Sequence, residues 1–118
     1  MFIFGALGAI SRFSLDHYLG QKWDVAFPVG TFTVNIIGSL LLGFLYGLHL
    51  KSTFFHVDIY TVLTTGFCGS FTTFSTYMYE SFKLIESGEV LTGTINILIT
   101  TGLCLAFIFI GIILGRAT

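Results

Sequence analysis

The sequence predicts an all-α membrane protein of four transmembrane helices, with a helix break in the third. Hydrophobic residues make up 54% of the 118 residues and charged residues only 9%, whereas soluble domains carry about 25% charged residues. The chain contains long charge-free stretches, and crossing the hydrocarbon core of a bilayer needs roughly 20 residues. One of these stretches combines glycines with many hydroxyls, which are poor choices for an ordinary lipid-facing helix.

The first predicted helix covers Phe2–Leu19 and carries Arg12 and Asp16. These two residues are four apart, so on a helix they share a face and can partner each other. No basic region precedes the apolar stretch and no small-residue cleavage site precedes Asp24, which favours a retained membrane helix over a signal peptide.

The remaining predicted helices are joined by short connections. Their bounds are Phe27–Leu50, Val57–Leu84 and Val90–Gly115. None of the connections could hold a separate domain, so residues 1–118 are predicted to form a single transmembrane domain. Tyr18 and Trp23 near the first connection suit the aromatic belt at a membrane interface.

The segment Gly66–Tyr77 is the part of the third helix that predicts the break. It combines Gly66 and Gly69 with a dense cluster of hydroxyls inside a charge-free run. Backbone that leaves its helix at membrane depth has unpaired amides and carbonyls, which lipid cannot satisfy. Such a break survives only in protein or beside a polar pathway, so we expect this segment to handle ions.

Asparagines at membrane depth are the next candidates, because polar groups there are costly and usually functional. Asn35 lies mid-way along the second helix, and Asn96 lies in the fourth. A lone membrane Ser or Thr bonds back to its own helix, whereas an asparagine amide has no such easy partner.

Aromatic rings add a second kind of lining. Phe71, Phe74, Tyr77 and Met78 fall at i, i+3, i+6 and i+7, which predicts that they share one face of the third helix. That face is either a core or lipid-facing stripe or a lining for ions. The edge of an aromatic ring is electropositive. Neutral donors and ring edges can replace the hydration shell of a small anion and still release it, which favours an anion pathway.

The loop charges predict an unusual topology. Four helices place Lys51 and Arg116 on one side of the membrane, and Lys22 and Lys83 on the other, where Arg12 could add a third positive charge. Positive charge in short loops normally fixes orientation, so near-balance predicts dual topology, with both orientations inserted and paired antiparallel. A chain of this size cannot easily enclose a pathway alone, so a dimer is expected.

Close packing of small residues such as Gly43 and Gly47 fits either a subunit interior or a dimer interface.

Several function classes are excluded by composition. The net charge of −1 provides no electrostatic footprint for nucleic acid. The two cysteines, Cys68 and Cys104, lie in apolar stretches without metal-ligand spacing. No catalytic constellation is present in the sequence, so the chain is not expected to be an enzyme.

Three motifs on three helices resemble the Fluc/CrcB family of fluoride channels. They are Gly5-x-x-Gly8-x-x-x-Arg12, Gly30-Thr31-x-x-x-Asn35-x-x-Gly38-Ser39, and Gly66-Phe67-x-Gly69-x-x-Thr72-Thr73-Phe74-Ser75-Thr76 followed by Glu80. The resemblance covers essentially the whole chain. It implies a multi-pass protein of the plasma membrane that passively exports fluoride from the cytoplasm. It also implies an antiparallel, dual-topology homodimer with two pores and a structural sodium ion at its centre.

The resemblance implies roles for individual residues. Asn35 matches the pore asparagine, while Phe74 and Tyr77 match two pore phenylalanines. The remaining matches are a polar track of Ser75, Thr76 and Glu80 with Asn96 and Thr100 from the fourth helix, the first-helix arginine Arg12, and the sodium-binding main-chain carbonyls of Gly69 and Thr72 from both subunits. Tyr77 departs from the usual phenylalanine, and its hydroxyl could donate to the ion or block the ring edge. Ser70 replaces a common glycine in the break.

Three alternatives remain open on the sequence. Some members of the family pair non-identical subunits, so the chain could be one half of a heterodimer with a paralogous subunit. A small multidrug transporter would need a membrane carboxylate, but Asp16 and Glu80 lie near helix ends. A structural or accessory membrane subunit would need neither Asn35 nor the hydroxyl cluster.

Overall fold

The computed structural model describes residues 1–23, 25–51 and 56–118, and within these ranges the regular structure is entirely helical. The elements in chain order are α1 (Phe2–Lys22), α2 (Val29–Lys51), α3 (Val57–Thr61), a π-helix (Val62–Cys68), α4 (Gly69–Phe71), α5 (Phe74–Glu86) and α6 (Val90–Ala117). The elements from α3 to α5 follow one another closely and together form the third of four helical units. The predicted all-α architecture of four helices is confirmed.

The helix ends follow from local sequence. Pro28 precedes α2, and its missing N–H costs nothing there because the first amides of a helix have no helical partner. Gly88 lies in the connection between α5 and α6 and has a φ of 94°, which a glycine adopts without strain. The N–H of Glu89 donates to the carbonyl of Leu84 at 2.8 Å and closes this turn. A turn of this length lets α6 pack back against α5.

Helices α2 and α6 run side by side in the same direction and form the largest helix contact of the described residues. Gly43 faces Ile108, and Gly111 on α6 faces the backbone of Phe44. A Cβ added at Gly111 would lie 2.7 Å from the amide nitrogen of Phe44, so only glycine permits this approach. The small residues of α2 therefore pack within one subunit.

Among the described residues, two helices, α2 and α6, are long and apolar enough to cross a membrane. Helix α1 contains Arg12 and Asp16, and the third unit is divided by the break, so neither satisfies the same criteria of length and composition. Only 11% of the most apolar stretch of α6 is buried within the chain. Lipid or a partner helix is the environment that suits such a surface.

Arg12 and Asp16 do not form an ion pair, although their spacing allows one. Among the described residues, ion pairs join His56 to Asp58 and Lys83 to Glu86. Asp16 instead packs against Gly30 of α2, where an added Cβ would come within 2.9 Å of the Asp16 Cα atom. The packing of α1 on α2 therefore places the carboxylate at the helix interface.

Candidate functional site

The third helical unit is interrupted at Thr72 and Thr73. Thr72 has φ −86° and ψ 162°, Thr73 has φ −150° and ψ 120°, and helix resumes at Phe74. A π-helix leads into the break, and the N–H of Gly69 donates to the carbonyl of Thr64, five residues earlier. Such π-helical segments are rare and frequently occur at functional sites. The predicted break is present, and the structure places it at two threonines.

Asn35 of α2 pairs with the backbone of Thr73 through both ends of its amide. Its Nδ2 donates to the Thr73 carbonyl at 3.0 Å, and the Thr73 N–H donates to its Oδ1 at 2.9 Å. These two bonds satisfy groups that the interrupted helix leaves unpaired and that lipid could not satisfy. Gly38, almost one turn further along α2, leaves space for the side chain of Thr72. Helix α2 thus carries both the polar partner and the space that the break needs.

The hydroxyls around the break bond mainly to nearby backbone. Ser70 donates to the Gly66 carbonyl at 2.7 Å, and Thr72 donates to the Cys68 carbonyl at 3.1 Å. Thr73 caps α5, since its Oγ1 accepts from the N–H of Thr76 at 3.3 Å. These hydroxyls therefore stabilise the two helix ends that face each other across the break.

A cavity of about 350 Å³ adjoins the break. Its walls come from α2, the π-helix, the start of α5 and the middle of α6, and none of the described residues that line it is charged. Asn35, Phe74, Tyr77 and Thr100 from the predicted pore set line this cavity, as do Gly69 and Thr72 from the predicted metal set. The fold therefore assembles neutral donors and aromatic rings from three separate helices around one space.

The two aromatic rings of the cavity differ in their environment. Phe74 and Tyr77 meet edge to face, with ring centroids 5.9 Å apart and an interplanar angle of 68°. Tyr77 is buried, whereas Phe74 is 73% exposed and points out of the subunit. The Tyr77 hydroxyl donates to the Ile97 carbonyl at 2.7 Å and lies 2.9 Å from the Thr101 hydroxyl. Tyr77 is thus tethered to α6, while Phe74 remains available to a partner.

A buried polar network joins α5 to α6 beside the cavity. Nδ2 of Asn96 donates to Oγ of Ser81 at 2.8 Å, and the Thr100 hydroxyl donates to Oδ1 of Asn96 at 3.0 Å. Ser81 in turn donates to the Tyr77 carbonyl at 2.8 Å. Asn96 is 0% exposed and does not line the cavity, although Thr100 does. Its hydrogen bonds make Asn96 a link between the two helices.

Glu80 lies at a second site, away from the break. The Thr31 hydroxyl donates to its carboxylate. Glu80 lines a cavity of about 440 Å³ together with Asp16 and Lys83, near the connection between α1 and α2. This second cavity is the charged one, so the two spaces differ in electrostatic character.

Comparison with known proteins decides the family. The model of the family described as "CrcB-like protein, Camphor Resistance (CrcB)" matches residues 1–112. The chain belongs to the CrcB family.

Relatives in this family share nearly the full length of the chain. It is similar to the "Fluoride-specific ion channel FluC" of Geotalea uraniireducens (strain Rf4), with 42% identity over 98% of this chain and 93% of the relative. It is also similar to the proteins of the same name from Syntrophotalea carbinolica, with 45% identity over 97% and 93% of the two chains, and from Thermococcus kodakarensis, with 44% over 95% and 89%.

The CrcB relatives confirm the family predicted from the three motifs. They are named as ion channels, which agrees with the prediction that the chain is not an enzyme. Family membership and the apolar helices α2 and α6 together indicate a membrane protein.

Five of the predicted site residues of this CrcB chain lie outside the cavity at the break. They are Arg12, Ser75, Thr76, Glu80 and Asn96. Ser75 is exposed on α5, whereas Arg12 is partly buried on α1. The structure therefore groups the predicted residues into a set at the break, Asn96 with Thr100 between α5 and α6, and Glu80 at the second cavity. Arg12, Ser75 and Thr76 line neither cavity.

The prediction that Phe71 and Phe74 share one face of the third helix is wrong. Phe71 is buried and stacks on Phe67 with ring centroids 5.7 Å apart, whereas Phe74 is exposed beside the cavity. The break falls between Phe71 and Phe74, so helical spacing does not carry a face from one to the other.

Four residues outside the predicted site set form hydrogen bonds with members of that set. Thr31, Thr73, Ser81 and Thr101 bond respectively to Glu80, Asn35, Asn96 and Tyr77. Thr31 lies in the motif of the second helix and Thr73 in that of the third, but neither motif indicates which residues the two threonines contact. Thr101 stands out in the sequence only as a hydroxyl at membrane depth beside Thr100, and Ser81 has no local signal beyond its hydroxyl.

Proposed function

We propose that the chain is a subunit of a fluoride-selective passive channel that exports fluoride from the cytoplasm across the plasma membrane. The observation that carries this proposal is the cavity at the break, whose described lining consists of neutral residues, including polar donors and aromatic rings. Its support is the similarity, over nearly the whole chain, to proteins named as fluoride-specific ion channels.

Neutral donors suit a small, strongly hydrated anion. The amide of Asn35 carries two N–H groups, and one of them donates to the Thr73 carbonyl, which leaves the second for an ion. The electropositive ring edges of Phe74 and Tyr77 add weak attraction. Because no cationic side chain is among the described residues of the lining, the lining can replace the hydration shell of the anion without trapping it.

Passive conduction is sufficient for export in this proposal. Fluoride enters an acidified cell as neutral HF and is held inside as the anion. A negative-inside membrane potential then drives the anion outward through an open path. The channel therefore needs no coupled proton and no membrane-embedded carboxylate, which sets it apart from a small multidrug transporter.

The active assembly in this proposal is an antiparallel, dual-topology dimer. The balance of Lys22 and Lys83 against Lys51 and Arg116 supports insertion in both orientations. Phe74 is largely exposed at the cavity, and a second copy would cover it. A two-fold interface repeats each contact, so one dimer would contain two pores. A heterodimer with a paralogous subunit is the alternative, which the Tyr77 substitution keeps open.

A structural sodium ion at the centre of the dimer completes the proposal. Its ligands would be the main-chain carbonyls of Gly69 and Thr72 from both subunits. Neutral carbonyl oxygens are suitable ligands for a hard cation, and both residues lie at the break, where carbonyls lack helical donors. A cation there would supply positive charge between the two pores.

Fluoride efflux from liposomes containing this chain alone tests the function. Potassium fluoride and potassium chloride vesicles are compared after a potential is imposed with a potassium ionophore, with protein-free vesicles as the background. Rapid efflux of fluoride but not chloride supports the channel and shows that the homodimer is sufficient. If well-folded protein gives no efflux, the homodimeric channel is rejected, and co-expression with a paralogous subunit tests the heterodimer.

A further inference from the structure

We propose that Asn35 is a positioning residue for a bound cation: its side-chain oxygen holds the Thr73 N–H away from the helix and so exposes main-chain carbonyls at the break. This inference deepens the central sodium site of the proposed function and rests on it. In this inference, the oxygen and the nitrogen of the Asn35 side-chain amide serve two different ions. The oxygen end acts on the cation through Thr73, and the nitrogen end faces the anion.

The first step concerns the carbonyl of Gly69. In an uninterrupted α-helix, the N–H of Thr73 would donate to the carbonyl four residues earlier, which belongs to Gly69. Here that N–H donates to Oδ1 of Asn35 at 2.9 Å. The Gly69 carbonyl has therefore lost its helical donor to a side chain from another helix.

The second step concerns the carbonyl of Thr72. Its helical donor would be the N–H of Thr76, but that group donates to the Thr73 hydroxyl at 3.3 Å. The side chain of Thr73 therefore frees the Thr72 carbonyl in the way that Asn35 frees that of Gly69. The break thus diverts the donors of two carbonyls whose residues, Gly69 and Thr72, line one cavity.

The third step is the chemistry of the freed oxygens. A carbonyl removed from its helical partner at membrane depth costs free energy unless another group satisfies it. The described residues contain no group of three or more His, Cys, Asp or Glu side chains that could hold a metal ion. A cation at the break would therefore be held by neutral oxygens, which suits a hard monovalent cation such as sodium.

Two substitutions separate the two ends of the Asn35 amide. Asn35→Asp keeps an oxygen that accepts from the Thr73 N–H, but it removes the N–H donors and adds negative charge to the cavity. Asn35→Leu removes both ends, so the Thr73 N–H can return to the Gly69 carbonyl. If Asn35 positions the cation site, Asn35→Asp preserves cation binding and Asn35→Leu weakens it.

The experiment measures the sodium dependence of thermal stability in purified, detergent-solubilised protein, with fluoride efflux measured in parallel. The melting temperature is followed as sodium chloride replaces N-methylglucamine chloride at constant ionic strength. We expect wild type and Asn35→Asp to be stabilised by sodium, although Asn35→Asp loses flux. In Asn35→Leu, we expect the half-saturating sodium concentration to rise by about tenfold or more, an effect the size of one lost hydrogen bond.

Thr73→Ala and Thr33→Ala complete the set. Thr73→Ala releases the Thr76 N–H to the Thr72 carbonyl, so it should weaken the sodium response while the Asn35 side chain is intact. It therefore tests the inference independently if Asn35→Leu does not fold. Thr33 donates to the Val29 carbonyl of its own helix at 2.7 Å, and Thr33→Ala should keep both the sodium response and the flux.

Distinct results overturn the inference and the proposed function. A wild-type protein that conducts fluoride without any sodium response would reject the cation-site inference alone. Asn35→Leu with a wild-type sodium response, or Asn35→Asp with a response as weak as that of leucine, would also reject it. A sodium response in protein that conducts no fluoride would instead count against the proposed channel.

Discussion

The hydroxyl of Tyr77 donates to the main-chain carbonyl of Ile97 at 2.7 Å, which joins the start of α5 to the middle of α6. Thr101 lies one turn further along α6, and its hydroxyl oxygen is 2.9 Å from that of Tyr77. The sequence left two roles open for this hydroxyl, donation to the ion or blockage of the ring edge. The structure shows a third arrangement, in which the hydroxyl is bound to the neighbouring helix.

Tyr77→Phe tests whether the tether is mainly structural. The substitution removes the bond to α6 but keeps the ring, so we expect the free energy of unfolding to fall by about 1 kcal/mol. Fluoride flux should fall less than in Tyr77→Ile, which removes the ring as well. Melting temperature and liposome efflux measure the two effects. If Tyr77→Phe reduces flux as strongly as Tyr77→Ile, the hydroxyl itself takes part in conduction.

Asn35→Asp should reduce fluoride flux by about tenfold or more, because a hydrogen bond to a charged group is worth roughly 1.5–3 kcal/mol. The carboxylate also repels an anion in the cavity. The dimer should remain assembled, which cross-linking or size-exclusion chromatography can check. Normal flux in a correctly assembled Asn35→Asp protein would remove Asn35 from the pore.

Phe74→Ile should impair conduction more than Phe67→Ile. Phe74 lines the cavity at the break, whereas Phe67 does not line it and stacks on Phe71. The two variants make the same chemical change a short distance apart in the chain, so each controls for general packing damage in the other. Equal losses of flux would indicate that the aromatic edge of Phe74 has no specific role.

Gly111→Ala should destabilise the chain by about 1–3 kcal/mol, the usual cost of overpacking. A Cβ at this position would meet the backbone of α2, including the Gly43 carbonyl carbon at 3.0 Å. Gly102→Ala is the matched control on the same helix, because a Cβ at Gly102 meets nothing within 4 Å. Similar melting temperatures for the two variants would contradict the close α2–α6 contact.

Added lysines in the connection between Lys51 and His56 should bias orientation and reduce homodimer function. Residues 52–55 lie outside the described residues, so this prediction rests on the balance of loop charges alone. The measurements are cysteine accessibility from each side of the membrane and fluoride efflux. Equal numbers of lysines added to the 87–89 connection as well should restore both orientations. Full activity with the unbalanced variant would argue against dual topology.

Much of the fold was predictable because it depends on local properties of the chain. Low charge and long apolar stretches predicted the helices, and the observed bounds of α2 and α6 differ from the predicted ones by only a few residues. Glycines and hydroxyls in Gly66–Tyr77 predicted the break, since such residues stabilise helix poorly. The aromatic stripe from Phe71 to Tyr77 failed, because helical periodicity does not continue through two residues of extended backbone.

Composition and local motifs were thus enough to establish a CrcB-family membrane protein with a broken third helix. The tertiary structure alone decided which groups meet at that break. Asn35 and Thr73 are 38 residues apart in the chain, and their pairing depends on how α2 packs against the third helical unit. The same holds for Asn96, a predicted pore residue whose amide bonds to Ser81 and joins two helices. At membrane depth a polar group takes whichever partner packing brings within reach, since no water is present to replace it.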